Sequence, residues 1–149
     1  NPQYAAGGVL ALVDGVEGEK DWRKGAWHGV QGLPFEVVLQ WTEPSWVRSI
    51  QAGFLQDVRS WIVFPSKVTY WGRSDVNQEW QFLGNVEPSV GVTDLSVLRN
   101  DLGIDLKKPF RLSQLKIVAE QFGPLPAWHP GAGGESFIFV DEIRWATKD

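Results

Sequence analysis

Three loop-like segments of the sequence concentrate side chains that suit recognition of a small polar ligand. They span residues 17–33, 56–65 and 122–134. The candidate ligand-binding residues in them are Trp27, His28, Gln56, Asp57, Arg59, Trp61, Trp128 and His129. Indole faces stack on the axial C–H groups of a pyranose, and its hydroxyl groups need planar donors and acceptors at fixed positions. These residue types therefore indicate a sugar-binding site.

The chain holds nine tryptophans, more than a core of this size requires. Some of them lie on predicted strands, and for these we expect core positions: Trp41, Trp71, Trp80 and Trp145. Trp22 is also expected in the core. The remaining loop tryptophans have Gly, Ser or Pro neighbours, and both surface recognition and core packing stay open for them: Trp27, Trp61 and Trp128.

The two histidines, His28 and His129, have several roles open to them. A metal pair would lack a strong third ligand nearby. A hydrogen-bonding role in a ligand site and a structural role, with the imidazole bonded to loop backbone, both remain. Arg23 and Arg59 suit a carboxylate or a sugar diol, although a solvated arginine is an equal alternative.

A group of carboxylates indicates a calcium site. Asp14 and Gly15 end the first predicted strand, and a polar loop with three acidic residues follows at positions 17–21. Glu142 lies on the last predicted strand, which commonly returns beside the first. Carboxylates with loop carbonyls form the oxygen-rich set that calcium prefers. The alternative is a simple turn at Asp14 with solvated charges around it.

We expect no catalysis by this chain. Asp141 and Glu142 are neighbours on a predicted strand, so their side chains point to opposite faces and cannot flank one glycosidic bond. The sequence has no Gly-x-Ser-x-Gly elbow and no glycine-rich phosphate loop ahead of a helix. A triad of Ser60, Asp57 and a histidine would need residues from distant loops to converge.

Composition excludes several further classes. Lys and Arg number 14 against 18 Asp and Glu, and this acidic balance argues against a nucleic-acid partner. No apolar run approaches the ~20 residues of a membrane span, so we expect no membrane partner. Cysteine is absent, which excludes disulfides and thiolate zinc sites. No signal peptide is visible, and because the chain opens at Asn1 we expect an excised piece of a longer protein.

Short alternating segments between Gly and Pro loops predict an all-β, eight-stranded antiparallel sandwich in one domain, residues 1–149. The predicted strands cover residues 10–13, 35–41, 47–55, 67–71, 79–84, 106–111, 115–121 and 136–145. Residues 74–78 are predicted to form a hairpin loop. In an antiparallel sandwich, odd-to-even connections lie at one end. The three aromatic segments join strands one to two, three to four and seven to eight, so we expect them on one rim.

An ordered series of short motifs also points to a known family. The motifs are Ala11–Gly18, Asp21–Arg23, Trp27–Gly29, Phe35–Leu39, Gly53–Asp57, Ser60–Ile62, Phe64–Pro65, Leu125–Gly134 and Phe139–Ile143. The stretch Trp-His-Pro-Gly-Ala-Gly-Gly is the most specific of them. The series resembles the C-terminal discoidin-like (coagulation factor V/VIII type C, galactose-binding-like) domain of bacterial β-N-acetylhexosaminidases. These enzymes, also called chitobiases, belong to glycoside hydrolase family 20 and are familiar from Bacteroides-type bacteria.

The resemblance implies a jelly-roll sandwich that acts as a non-catalytic carbohydrate-binding module, with a catalytic domain in the same parent chain as its partner. The implied ligand is an N-acetylhexosamine- or galactose-containing glycan, held by a loop histidine, an arginine and an aromatic residue. The implied metal is a structural calcium at Asp14 and Glu142, with backbone carbonyls of residues 16–21. The implied location is the periplasm or the cell surface.

Two points qualify the resemblance. Many relatives carry Gln where this chain has His28. A second interpretation is a structural accessory domain that packs on the catalytic domain without binding sugar, because tryptophan and arginine are also enriched at protein interfaces.

Overall fold

A computed structural model describes residues 27–147 and the backbone of residues 2–5. The strands are β1 Pro2–Ala5, β2 His28–Gln31, β3 Phe35–Gln56, β4 Lys67–Arg73, β5 Gln81–Val86, β6 Leu98–Glu120 and β7 Phe137–Thr147. A one-turn 3-10 helix, Val58–Ser60, follows β3. The strands pair antiparallel in the order β1-β2-β7-β3-β6-β4-β5.

Two long strands run through both layers of the molecule. Residues 35–40 of β3 pair with residues 114–119 of β6, next to β4, whereas residues 49–56 of β3 pair with residues 98–105 of β6 and with β7. Register shifts after Gln40 and Val47 separate the two halves. Buried side chains from both halves share one core, among them Val37, Tyr70 and Ile117 from one layer and Phe54, Ile138 and Ile143 from the other. The fold is therefore a β-sandwich.

The predicted all-β antiparallel sandwich is confirmed, with seven strands in the described residues rather than eight. The segments 35–41 and 47–55 are parts of one strand, β3, and the segments 106–111 and 115–121 are parts of β6. Pro44 and Pro109 lie within these strands, close to register irregularities, where proline is tolerated. The short strand β2 was not predicted, and the predicted strand 10–13 lies outside the described residues.

A bulge interrupts β7 where it pairs with β3. Ala52 faces Ile143 and Phe54 faces Val140, so that Asp141 and Glu142 together oppose Gly53. Both carboxylates are buried, and strict alternation between core and solvent ends here. Asp141 accepts two hydrogen bonds from Arg99, at 2.7 and 3.2 Å. A β-carbon at position 53 would overlap this ion pair, which explains the glycine.

Candidate ligand-binding rim

Two of the three aromatic segments meet at one end of the sandwich. We call this end the rim and define it as residues 57–66, between β3 and β4, and residues 121–136, between β6 and β7. Val63 N donates to Phe137 O at 3.1 Å, and Phe137 N donates to Trp61 O at 2.8 Å. The shared rim expected from strand parity is therefore present for these two segments. The third segment lies largely outside the described residues.

His129 holds the rim together from inside. Gly131 N donates to Nδ1 at 2.8 Å, so the ring proton resides on Nε2, which lies 2.6 Å from Val58 O. The side chain is buried. Of the roles open to it in the sequence, His129 takes the structural one, and its ring nitrogens face the backbone rather than a ligand.

The loop around His129 is closed by its own hydrogen bonds. Leu125 N donates to Gly134 O at 2.9 Å, and His129 N donates to Pro126 O at 3.0 Å. Gly133 has φ +83°, a left-handed conformation that favours glycine. The segment is thus a defined turn structure that presents Trp128 at a fixed place.

Trp61 packs under this loop. Its own φ of +70° closes the 3-10 turn, with its N–H donating to Val58 O at 3.0 Å. The half-buried indole lies directly against Gly131 and Gly134, where any β-carbon would overlap the ring. The glycines of the Gly-Ala-Gly-Gly run are therefore required for this close approach, and the indole is fixed in place.

Trp128 and Arg59 are two solvent-facing side chains of the rim that suit a sugar. Trp128 is 52% exposed, and its ring centroid lies 5.9 Å from that of His129. Arg59 is exposed and follows Val58, which is bonded to His129. Arg59 and Trp128 are the chain neighbours of Val58 and His129, which are joined across the rim. An exposed indole can stack on a sugar ring, and a guanidinium can donate to its hydroxyls.

Two of the predicted ligand-binding residues shape the loop. Gln56 is buried, with its Oε1 accepting from Phe64 N at 3.2 Å and its Nε2 donating to Gly91 O at 3.1 Å. Asp57 Oδ2 accepts from Ser60 Oγ at 3.0 Å, within the turn that Trp61 closes. Gln56 is consequently not at the surface, and Asp57 faces its own loop.

Trp27 and His28 are buried beneath the rim, so that of the positions left open for Trp27 in the sequence it takes the core one. Trp27 is 1% exposed, in a small apolar cluster with Leu55, Ile62 and Phe139. His28 is buried on β2, paired with Val140 of β7. Their glycine-rich surroundings suggested a loop, but His28 pairs with β7 in a strand, and Trp27, which directly precedes it, packs inward against Phe139.

The prediction for the tryptophans expected in the core is confirmed only in part. Trp41 is half-buried and packs against the core. Trp71 and Trp80 are half-buried, and Trp145 is 36% exposed. On β4 the buried residues Val68 and Tyr70 take the inner face, which leaves Trp71 on the outer face with Arg73. In the sequence, the charged residues Lys67 and Arg73 lie at positions of the same strand face as Trp71, and they indicate that this face is the outer one. The expected position of Trp22 lies outside the described residues.

The calcium prediction concerns one described residue, Glu142, which is 3% exposed at the β7 bulge. Asp14 and residues 16–21 lie outside the described part of the chain, as does Arg23. Within residues 27–147, no group of three His, Cys, Asp or Glu side chains could hold a metal ion. A carboxylate is the kind of oxygen donor that a hard cation such as calcium binds.

The described residues contain no helix long and apolar enough to cross a membrane. The predicted hairpin at residues 74–78 is present between β4 and β5, closed by Gln78 N donating to Asp75 O at 3.0 Å.

No protein-family model and no curated protein matches the chain. Solved structures do match it, among them the first family 32 carbohydrate-binding module of a family 31 glycoside hydrolase from Clostridium perfringens. That module is 13% identical, with a TM-score of 0.58 over 98% of this chain and 88% of that one. A family 32 module of a GH31 protein, solved bound to GalNAc, is 14% identical, with a TM-score of 0.57 over 97% and 91% of the two chains.

The C-terminal domain of a chitobiase from Bacteroides fragilis is 15% identical and covers 97% of this chain and 84% of that one. Its TM-score of 0.45 is too low to support the chitobiase resemblance. Taken together, the modules with higher scores show that the chain has the β-sandwich fold of family 32 carbohydrate-binding modules.

Proposed function

We propose that this chain is a non-catalytic carbohydrate-binding module that holds a glycan-processing enzyme on its substrate. The observation that carries the proposal is the exposed indole of Trp128 on a rim braced by His129, with the exposed Arg59 next to Val58 in the facing loop. The fold shared with carbohydrate-binding modules supports it. The GalNAc bound to one of those modules supports an N-acetylhexosamine- or galactose-containing glycan as the ligand.

In this proposal the rim binds sugar without rearranging. Trp128 supplies the stacking face, Arg59 supplies donors for ring hydroxyls, and Trp61 forms the fixed floor. Because His129 and the glycines hold these groups in place before binding, little conformational entropy is lost when the ligand arrives. Tethering then raises the concentration of glycan near the enzyme without new chemistry.

The proposed parent protein is a secreted bacterial β-N-acetylhexosaminidase of the chitobiase type, located in the periplasm or at the cell surface. Hydrolysis belongs to a separate catalytic domain of that parent. In this proposal the two adjacent carboxylates of β7 are not catalytic. Asp141 accepts a hydrogen bond from Arg99, and Glu142 is buried.

We also propose a structural calcium held by Asp14 and Glu142, with backbone carbonyls of residues 16–21. Glu142 supports this, because its buried carboxylate is an oxygen donor of the kind that calcium binds. When bound, the ion would supply positive charge that ties the segment after Asp14 to β7.

A second candidate function is a structural accessory domain that packs on the catalytic domain. Exposed tryptophans away from the rim favour it: Trp46 is 52% and Trp145 36% exposed. Exposed tryptophan is typical of protein interfaces. In that case the parent's catalytic domain would be the main partner of this chain.

A glycan array probed with the labelled chain in the presence of calcium tests the main proposal. We expect binding to glycans that end in N-acetylhexosamine or galactose, followed by a change in tryptophan emission on titration with the same sugars. A folded chain that binds no glycan would favour the accessory-domain function. Hydrolysis of an aryl N-acetylglucosaminide by this chain would contradict its non-catalytic role.

A further inference from the structure

A second aromatic surface covers the outer face of the layer formed by β5, β4, β6 and β3. We call it the sheet face and define it as Val38, Gln40, Trp71, Arg73, Trp80, Phe82, Gln114 and Lys116. Strand register aligns seven of them in two rows, and Trp80 directly precedes β5 beside these rows. One row runs across the four strands through Phe82, Trp71, Lys116 and Val38, and the next through Arg73, Gln114 and Gln40.

The burial of the neighbouring residues shows that both rows face outward. The alternate residues Val37, Tyr70, Leu115 and Ile117 belong to the core, whereas Phe82 is 55% and Val38 is 47% exposed. Adjacent strands are spaced by about 4.8 Å, so four strands present a surface roughly 14 Å wide. A surface of this width suits an extended chain rather than a single small molecule.

Ring contacts hold the aromatic side chains in place. Trp71 meets Phe82 edge-on, with centroids 5.5 Å apart. The Arg73 guanidinium lies 4.2 Å from the Trp80 ring centroid, and the Lys116 ammonium lies 4.9 Å from it and 5.8 Å from that of Trp71. These cation–π contacts fix two positive charges among three aromatic rings.

A ladder of hydrogen bonds adds planar polar groups. Arg73 Nε donates to Gln114 Oε1 at 2.7 Å, and Gln114 Nε2 donates to Gln40 Oε1 at 3.3 Å. Arg73 Nη1 also donates to Gln78 O at 3.1 Å. A guanidinium has five N–H donors, so Arg73 keeps donors beyond those it uses within the described residues.

The charge of the sheet face opposes that of the whole chain. Neither row contains Asp or Glu, and the nearest acidic residue by register is Glu36, in the following row. Among the described residues, no carboxylate pairs with Arg73 or Lys116 within 4.0 Å. In a chain of net charge −4, this is a local positive surface with stacking faces and amide groups.

We propose that the sheet face is a second carbohydrate-binding site, which takes an extended anionic glycan whose sugars carry carboxylate or sulfate groups. Indole and phenyl faces stack on the pyranose rings, the glutamine amides meet hydroxyls, and Arg73 and Lys116 pair with the anionic groups. The site is separate from the rim. Arg73 lies six residues beyond Lys67, about 20 Å along β4 from the rim end.

Biolayer interferometry with two matched polymer pairs tests this site. Dextran sulfate is compared with dextran, and polygalacturonate with fully methyl-esterified pectin, so that the two arms separate sulfate from carboxylate. We expect the chain to bind at least one anionic polymer and neither neutral one. Binding should weaken as salt rises, because the charges are exposed.

Four substitutions locate the binding. We expect Arg73→Gln and Lys116→Gln each to weaken it about tenfold. Phe82→Gln, at a side chain 55% exposed, should weaken it without disturbing the core. Lys67→Gln is the matched control, because Lys67 is already paired with Glu120 at 3.4 Å and its loss should leave binding unchanged.

The result also separates this site from the rim, because Trp128→Ala should leave binding of the anionic polymer intact. The proposal is overturned if neither anionic polymer binds, if the neutral polymers bind equally well, or if Lys67→Gln weakens binding as much as Lys116→Gln. Loss of binding in Trp128→Ala, or self-association of the chain through this face in sedimentation, would also overturn it. Circular dichroism verifies that each variant is folded.

Discussion

The imidazole of His129 is joined to the main-chain oxygen of Val58 across the rim, with Nε2 and O 2.6 Å apart. This contact links two loops that are 71 residues apart in the sequence. We expect His129→Leu to lower the free energy of unfolding by about 2 kcal/mol or more, because Val58 O and Gly131 N lose their partner. Urea unfolding measures this. An unchanged midpoint would show that the rim does not depend on the imidazole.

The buried ion pair beneath the β7 bulge gives a second prediction. Arg99 holds Asp141 through two hydrogen bonds, and Asp141 is 1% exposed. Removing the cation leaves a buried carboxylate, so Arg99→Met should destabilise the fold by about 3–5 kcal/mol. Arg111→Met, at an exposed position on β6, is the control and should have little effect. Thermal unfolding that is equal for the two variants would refute this role of Arg99.

Tyr70 makes stability depend on pH in the alkaline range. Its hydroxyl donates to Leu102 O at 2.5 Å, and burial raises the pKa of the phenol well above its ordinary value. The unfolded phenol ionises near pH 10, whereas the folded one stays neutral there. The free energy of unfolding should therefore fall as pH rises above about 10.

The variant Tyr70→Phe isolates this contribution. It should cost about 1 kcal/mol near neutral pH, because one hydrogen bond is lost, and its stability should decline less steeply between about pH 9 and 11. Denaturant unfolding across that range measures the two slopes. Identical slopes in the two proteins would show that another group governs the alkaline transition.

Calcium should stabilise the folded chain. A ligand present at 100 times its dissociation constant and bound only by the folded state adds about 2.7 kcal/mol. We expect the thermal midpoint of the chain to rise with calcium and to fall with chelator, and the rise to be lost in Glu142→Gln. Magnesium serves as the comparison ion. Equal midpoints with calcium and chelator would contradict the proposed site.

Much of the rim could be predicted from the sequence because it depends on loop position and strand parity. The segments at 56–65 and 122–134 were expected to share an end, and contacts such as Phe137 N to Trp61 O connect them. The β-branched and aromatic residues of the segment 67–71 likewise predicted β4. These features follow from local patterns along the chain.

The burial of Trp27 could not be predicted, because it depends on partners far away in the sequence. Trp27 has glycine neighbours yet is covered by Phe139 and Leu55. Trp71 lies on a strand yet faces outward, since Val68 and Tyr70 take the core side. The bulge that buries both Asp141 and Glu142 arises where these two residues oppose Gly53 of β3. The amino-acid pattern of β7 alone does not indicate it.

The most direct test of carbohydrate binding at the rim compares two tryptophans of equal exposure. Trp128 and Trp46 are both 52% exposed, but Trp128 lies on the rim and Trp46 lies within the bend of β3. Calorimetric titration with a glycan identified on the array should show a dissociation constant at least ten times larger for Trp128→Ala, a loss of about 1.4 kcal/mol of binding free energy. The dissociation constant of Trp46→Ala should be unchanged. Unaltered affinity in Trp128→Ala, with the fold intact, would contradict the account.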